Sequence, residues 1–213
     1  MGNAHPQSIK LTYFDMAGVA EPIRMAFWYG NVKFEDERLT HDQWKDLKPS
    51  TPYGSLPVLT VDGQTFAQTS AILRYAGKLS GLYPSNPLGC MKVDELMDAV
   101  EDVLGELRPS LREADEAKKM AARKVLVSEV LPMWLEKFAK GITANGSSGY
   151  LYGDSLTVAD LRFNSLCSAL ASGRLDGIPV SLVNDNEPIA RHMQLVKEHP
   201  KISKYLEEQA AKK

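Results

Sequence analysis

The sequence predicts two modules in series, a mixed α/β module at roughly 1–81 and an all-α module at roughly 91–213, joined by a linker at 82–90. Three observations predict it. Short strand-like and helix-like segments alternate in the first third, in the order β-α-β and then β-β-α, with Asp62-Gly63 as a hairpin signal between two of the strands. A segment with two glycines and two prolines, Gly81 to Gly89, follows and reads as a connector. Beyond it, apolar residues recur at three- and four-residue spacing, as on one face of a helix.

Ile9 to Phe14 is a strand candidate, and Glu21-Pro22 starts a helix with proline in its first turn, where the missing N–H costs little. Ile23, Ala26, Phe27 and Gly30 form the inward face of that helix. Lys33 to Leu39 alternates apolar and charged residues as a half-exposed strand does, and His41 to Ser50 reads as polar and irregular with Trp44 as its bulky residue. Pro57 opens the strand pair Val58 to Val61 and Gln64 to Ala67, and a helix runs from about Thr69 to Leu79. In the second module Val93, Leu96, Met97, Val100, Val103, Leu104, Leu107 and Leu111 form a long amphipathic stripe. Lys118 to Lys140 reads as another long helix, kinked at Pro132. Thr157-Val158-Ala159-Asp160 has the form of a capping box, with Leu156 and Leu161 as its hydrophobic staple. Arg174 to Asn186 is loop-rich, and short helices around Ile189 to Glu198 and Lys201 to Gln209 close the chain.

The bulk numbers narrow the function classes. At 213 residues, 44% hydrophobic and 24% charged, the composition is that of an ordinary globular chain. A net charge of -2 without a basic stripe argues against nucleic acid, whose phosphates call for a concentrated cationic face. The pairs Lys118-Lys119 and Arg123-Lys124 alternate with acids and read as a solvated helix face. The polar segment Met1 to Ser8 lacks the apolar core of a signal peptide, and no window approaches the roughly 18 apolar residues of a spanning helix. Cys90 and Cys167 lie far apart, outside any zinc-like spacing, and free thiols point to a reducing, cytoplasmic setting. No metal and no membrane partner is expected.

Tyr13 stands near a strand end, where side chains line crevices in open α/β sheets. A tyrosine there is commonly a packed aromatic, but a phenol close to a helix N-terminus can also donate to an anionic sulfur. Lowering an ordinary thiol pKa of ~8.5 by about two units takes roughly 2.7 kcal/mol, and one hydrogen bond to a charged group supplies roughly 1.5–3 kcal/mol. A single tyrosine is therefore sufficient. Pro57 is compatible with an ordinary strand start, or with a cis Leu56–Pro57 bond that turns the Leu56 backbone toward an added peptide strand. Thr69 or Ser70 caps the following helix, whose N-terminus also suits an anion, and Gln68 offers a side-chain amide. Taken alone, Trp44 reads as packing and Lys48 as an exposed lysine; beside a peptide ligand they become a wall and a cation for its C-terminal carboxylate. Asp94, Asp98, Glu101 and Asp102 read mainly as a solvated acidic face, from which one could reach a ligand's ammonium group across a dimer interface.

Taken together, Lys10-Leu11-Thr12-Tyr13-Phe14, Ala20-Glu21-Pro22-Ile23-Arg24, Trp44 with Lys48, Leu56-Pro57, Gln68-Thr69 and the Thr157–Asp160 box resemble the cytosolic glutathione transferases. The likeness is strongest to the sigma-like group with a catalytic tyrosine, and it covers nearly the whole chain. It implies a thioredoxin-like N-terminal domain followed by a helical domain, assembled as a homodimer. It implies glutathione as co-substrate, with Tyr13 stabilising the thiolate and Leu56, before a cis Pro57, pairing with the cysteinyl backbone. Gln68 and Thr69 then meet the γ-glutamyl end, and Trp44 and Lys48 the glycyl carboxylate. Asp102 of the second subunit approaches the γ-glutamyl amine, and Tyr53 resembles the aromatic that some classes insert into the partner. Met16, Val19, Leu104 and Arg108 line the electrophile pocket.

Two positions depart from the pattern. Val19 stands where many sigma-like members carry an arginine that helps polarise the tyrosine, and Thr69 replaces the usual serine while keeping the hydroxyl. The expected activity is conjugation of glutathione to small apolar electrophiles. A glutathione-dependent prostaglandin-type isomerase and a non-catalytic ligand-binding or crystallin-like protein are the alternatives.

Overall fold

The computed structural model describes residues 6–211, so that Met1 to His5 of the polar N-terminal stretch lie outside the described residues. The chain divides into two compact units, one up to Tyr83 and one from Pro84.

The first unit is built on a four-stranded mixed sheet. Its strands are β1 (Ile9–Phe14), β2 (Glu35–Leu39), β3 (Val58–Val61) and β4 (Gln64–Ala67), in the spatial order β2-β1-β3-β4. β1 runs parallel to β2 and antiparallel to β3, and β3 is antiparallel to β4. The β3–β4 hairpin closes at Asp62-Gly63, both with positive φ (47° and 83°), the geometry that makes this dipeptide a hairpin signal. Leu11 and Leu59 of the sheet are fully buried with Ile23 and Phe27 of helix α1 (Glu21–Tyr29) and Ile72 and Leu73 of α3 (Thr69–Ser80). Burial of each such side chain contributes roughly 1.5–3 kcal/mol. α1 and α3 pack on each other.

The segment expected to be irregular, His41 to Ser50, is instead helix α2 (His41–Leu47) followed by a 3₁₀ turn, Lys48–Ser50. It buries no residue and so carries no apolar period. Its start is set by Thr40 and Gln43, whose side chains each bond the other's backbone N–H.

The second unit is helical. α4 (Pro87–Arg112) begins inside the expected linker, because Asn86 caps it by accepting from the Gly89 N–H at 2.7 Å. Six members of its predicted stripe are buried, whereas Leu104 is half-buried and Leu111 is 48% exposed, near the helix end. The expected kinked helix is α5 (Glu116–Val125), one π-helical turn (Leu126–Val130) and α6 (Leu131–Ala144). Pro132, lacking an N–H, falls in the first turn of α6, and the wider turn before it takes up the change in register. Arg123 is buried rather than solvated, donating to the Asp176 carbonyl. α7 (Val158–Leu170) starts at the capping box and packs on α4 and on α9 (Glu187–Glu198). A short α8 (Ser181–Asn184) interrupts the loop-rich stretch, and α10 (Pro200–Ala210) ends the described chain. Among the described residues no helix is long and apolar enough to cross a membrane.

Candidate active site

Strand register assembles the centre of the site. Thr12 lies opposite Val58, and Val58 lies opposite Ala67. One step further along each strand come Tyr13, Pro57 and Gln68, so three separately predicted residues meet at one end of three adjacent strands. That end is the carboxyl end of β1 and β2, where α/β sheets bind ligands. Tyr13 is 8% exposed. Gly18, in the loop leaving β1 with φ +49°, packs so closely that a Cβ there would lie 2.6 Å from the Tyr13 hydroxyl oxygen.

The Leu56–Pro57 peptide bond is cis, as the resemblance implied. Gln68 has φ +76°, a left-handed conformation that costs a non-glycine residue about 1–3 kcal/mol. It occupies the N-cap position of α3 and makes no side-chain cap bond. The expected caps, Thr69 and Ser70, are the first residues of the helix rather than its cap, and the left-handed turn at Gln68 is the reason. The leading N–H groups of α3 thus lack a side-chain cap, with two hydroxyls beside them, an arrangement suited to a carboxylate.

On the other side of Tyr13, an aromatic chain leads to Trp44. Phe14 meets Tyr13 edge-on at 5.6 Å and Trp44 at 6.1 Å. Lys48 lies one turn beyond Trp44 and is exposed, its Cε 3.7 Å from where a Gly54 side chain would begin. Met16 is exposed and Val19 half-buried. All these residues belong to the first unit.

Asp102, Leu104 and Arg108 belong to the second unit, on α4. Asp102 is exposed. Glu101 is not free in solvent, as an acidic face required: it accepts from Arg108 and from the buried Arg162, the latter at 2.8 Å. Among the described residues no group of three or more His, Cys, Asp and Glu gathers into a metal site.

Two structural features beside these residues were not read from the sequence. The left-handed Gln68 has no sequence signal. The second is Arg24, a charged residue in the otherwise apolar run of α1, whose side chain is 1% exposed. The break in that run was its visible sign.

Family models for the glutathione S-transferase N-terminal domain and C-terminal domain match residues 9–78 and 101–209. The chain belongs to the glutathione S-transferase family. A glutathione S-transferase 1 of Ascaris suum is 37% identical over 205 residues, covering 93% of this chain and 95% of that protein. The structure of prostaglandin synthase D from Nilaparvata lugens superposes with a TM-score of 0.85 at 36% identity, covering 94% of this chain and 97% of the other. A monomeric glutathione S-transferase from the hookworm Necator americanus gives a TM-score of 0.78 at 34% identity, over 94% and 96% of the two chains. The family's N-terminal match thus contains Tyr13, Trp44, Lys48, Leu56, Pro57, Gln68 and Thr69, and its C-terminal match contains Asp102, Leu104 and Arg108.

Proposed function

We propose that this chain binds glutathione across the strand ends carrying Tyr13, Pro57 and Gln68, holds it as thiolate through the Tyr13 hydroxyl, and conjugates it to small apolar electrophiles. The alignment of those three residues beside the uncapped start of α3 carries the reading. Tyr13 donates to the sulfur and the Leu56 backbone pairs with the cysteinyl unit. Gln68 and Thr69 take the γ-glutamyl carboxylate at the helix N-terminus. Trp44 and Lys48 take the glycyl carboxylate, and Met16, Val19, Leu104 and Arg108 are assigned to the electrophile. The protein contributes proximity and a fixed donor aimed at an anion, with no metal. In this reading residues 1–81 bind glutathione, residues 91–213 form the helical domain, and 82–90 link them.

The working form is a cytoplasmic homodimer, suited to detoxification, in which Asp102 of one copy reaches the γ-glutamyl amine bound by the other. An apolar surface supports the second copy: Tyr53 is 70% and Phe66 49% exposed. They border a hollow of ≈ 680 Å³ that Tyr75, Val61 and Ile72 also line. The reduced thiols fit the compartment. The likeness to a prostaglandin synthase D favours one second reading, an isomerase that uses the same thiolate.

Conjugation of glutathione to chlorodinitrobenzene tests the proposal. A glutathione-dependent rate is expected. Binding of glutathione without any rate contradicts general transferase activity, and turnover of a prostaglandin endoperoxide in that case supports the isomerase.

A further inference from the structure

A buried guanidinium is costly unless its N–H groups are bonded, and the partners of Arg24 show what it is for. Nε donates to Asp36 of β2 at 2.9 Å. Nη1 donates to the backbone carbonyls of Met16 at 2.9 Å and Ala17 at 3.2 Å, and to Glu21 at 3.2 Å. Nη2 is buried without an acceptor, and the Tyr13 ring centroid lies 5.9 Å from Cζ. Met16 and Ala17 lead directly into Gly18, the residue whose backbone sits on the Tyr13 hydroxyl. A second ion pair grips the same loop: Arg38 bridges Asp15 at 3.0 Å and Asp36 at 2.9 Å.

We propose that Arg24 is a positioning residue for thiolate formation. It holds the Met16 and Ala17 carbonyls, seats Gly18 against the phenol, and so fixes where the Tyr13 O–H points. The role rests on the reading of Tyr13 as the thiolate stabiliser. Placement rather than charge is the operative property. Two carboxylates, Glu21 from α1 and Asp36 from β2, face the guanidinium, and Arg38 and Asp15 complete a network in which three carboxylates offset two guanidinium groups. Hydrogen bonds weaken steeply once their angle falls below about 120°, so a displaced phenol loses the sulfur without leaving the site.

The test follows ionisation of the bound glutathione thiol with pH, by ultraviolet absorbance of the thiolate, in the full-length protein and in Tyr13→Phe, Arg24→Met, Arg24→Lys and Gly18→Ala. Both Arg24 variants are expected to raise the midpoint by about one pH unit, tenfold less thiolate at a fixed pH below it, with the KM for glutathione changed by less than about threefold. Lysine keeps the charge but cannot span Met16, Ala17 and Asp36 together, so it is expected not to rescue. An unchanged midpoint in either folded Arg24 variant overturns the proposal, and so does rescue by lysine. Gly18→Ala keeps Arg24 and carries the test should the Arg24 variants not fold: its new Cβ meets the phenol, the midpoint is expected to rise, and an unchanged midpoint overturns the positioning role. If Tyr13→Phe leaves the midpoint in place, the tyrosine reading fails and takes this one with it. If only Tyr13→Phe raises it, the positioning role alone fails.

Discussion

Replacing Asp160 by alanine removes the acceptor on which the start of α7 depends. The wholly buried carboxylate accepts from the Thr157 N–H at 2.7 Å, the Thr157 hydroxyl at 2.7 Å and the Leu151 N–H at 2.8 Å. The hydroxyl can turn to another partner, but the two backbone N–H groups are fixed and shut off from water. Each orphaned donor costs about 1–3 kcal/mol, giving roughly 2–6 kcal/mol for the pair. Total stabilities run at about 5–15 kcal/mol, so the loss takes a large share. Asp160→Asn keeps the volume and one carbonyl oxygen, and should cost about half as much. Urea unfolding of the three proteins, followed by circular dichroism, measures both differences. A loss below about 1 kcal/mol for Asp160→Ala would mean that water or a shifted acceptor satisfies those N–H groups, and that the carboxylate is not their needed partner. Leu156 and Leu161, 4% and 0% exposed, should keep the staple packed in Asp160→Asn.

Two more outcomes follow from the first unit. The Glu37 carboxyl is held below its ordinary range, chiefly by the Thr12 hydroxyl at 2.7 Å and also by Lys10, with burial opposing them. A depressed carboxyl contributes stability that is present above its unfolded pKa and lost as pH falls through the folded value. Thr12→Val should therefore cost about 1 kcal/mol at pH ~7, a gap that closes as denaturation is measured below the ordinary glutamate value of ~4.3; a gap independent of pH would contradict this. Gly30→Ala would place a Cβ 2.5 Å from the Ser80 backbone where the ends of α1 and α3 approach, and overpacking of this kind costs about 1–3 kcal/mol. Its urea midpoint should fall; an unchanged midpoint means that the two helices separate freely.

Elements with a local cause were legible in the sequence, and elements set by distant contacts were not. The Asp62-Gly63 hairpin, the proline start of α1 and the capping box of α7 each depend on residues within a few positions, and each stands where it was expected. α2 was missed because it buries nothing, although Thr40 and Gln43 carried its start. Pro132 announced a disturbance but not its form, a π-helical turn over Leu126–Val130 that precedes the proline. In the site, the residue types at Tyr13, Pro57 and Gln68 were readable, whereas their meeting at one sheet end depends on the register of three strands. The buried network of Arg24 was invisible because its acceptors come from β2, from α1 and from two backbone carbonyls of a loop.

The role of Tyr13 as thiolate stabiliser is tested by pH titration of the enzyme-bound glutathione thiol in wild type and Tyr13→Phe. A hydrogen bond from the phenol worth roughly 1.5–3 kcal/mol corresponds to about one to two pH units. A wild-type midpoint well below ~8.5, the ordinary thiol value, is expected, with a rise of that size in Tyr13→Phe. A wild-type midpoint near the ordinary value, or a depressed one that Tyr13→Phe leaves unchanged, contradicts that role.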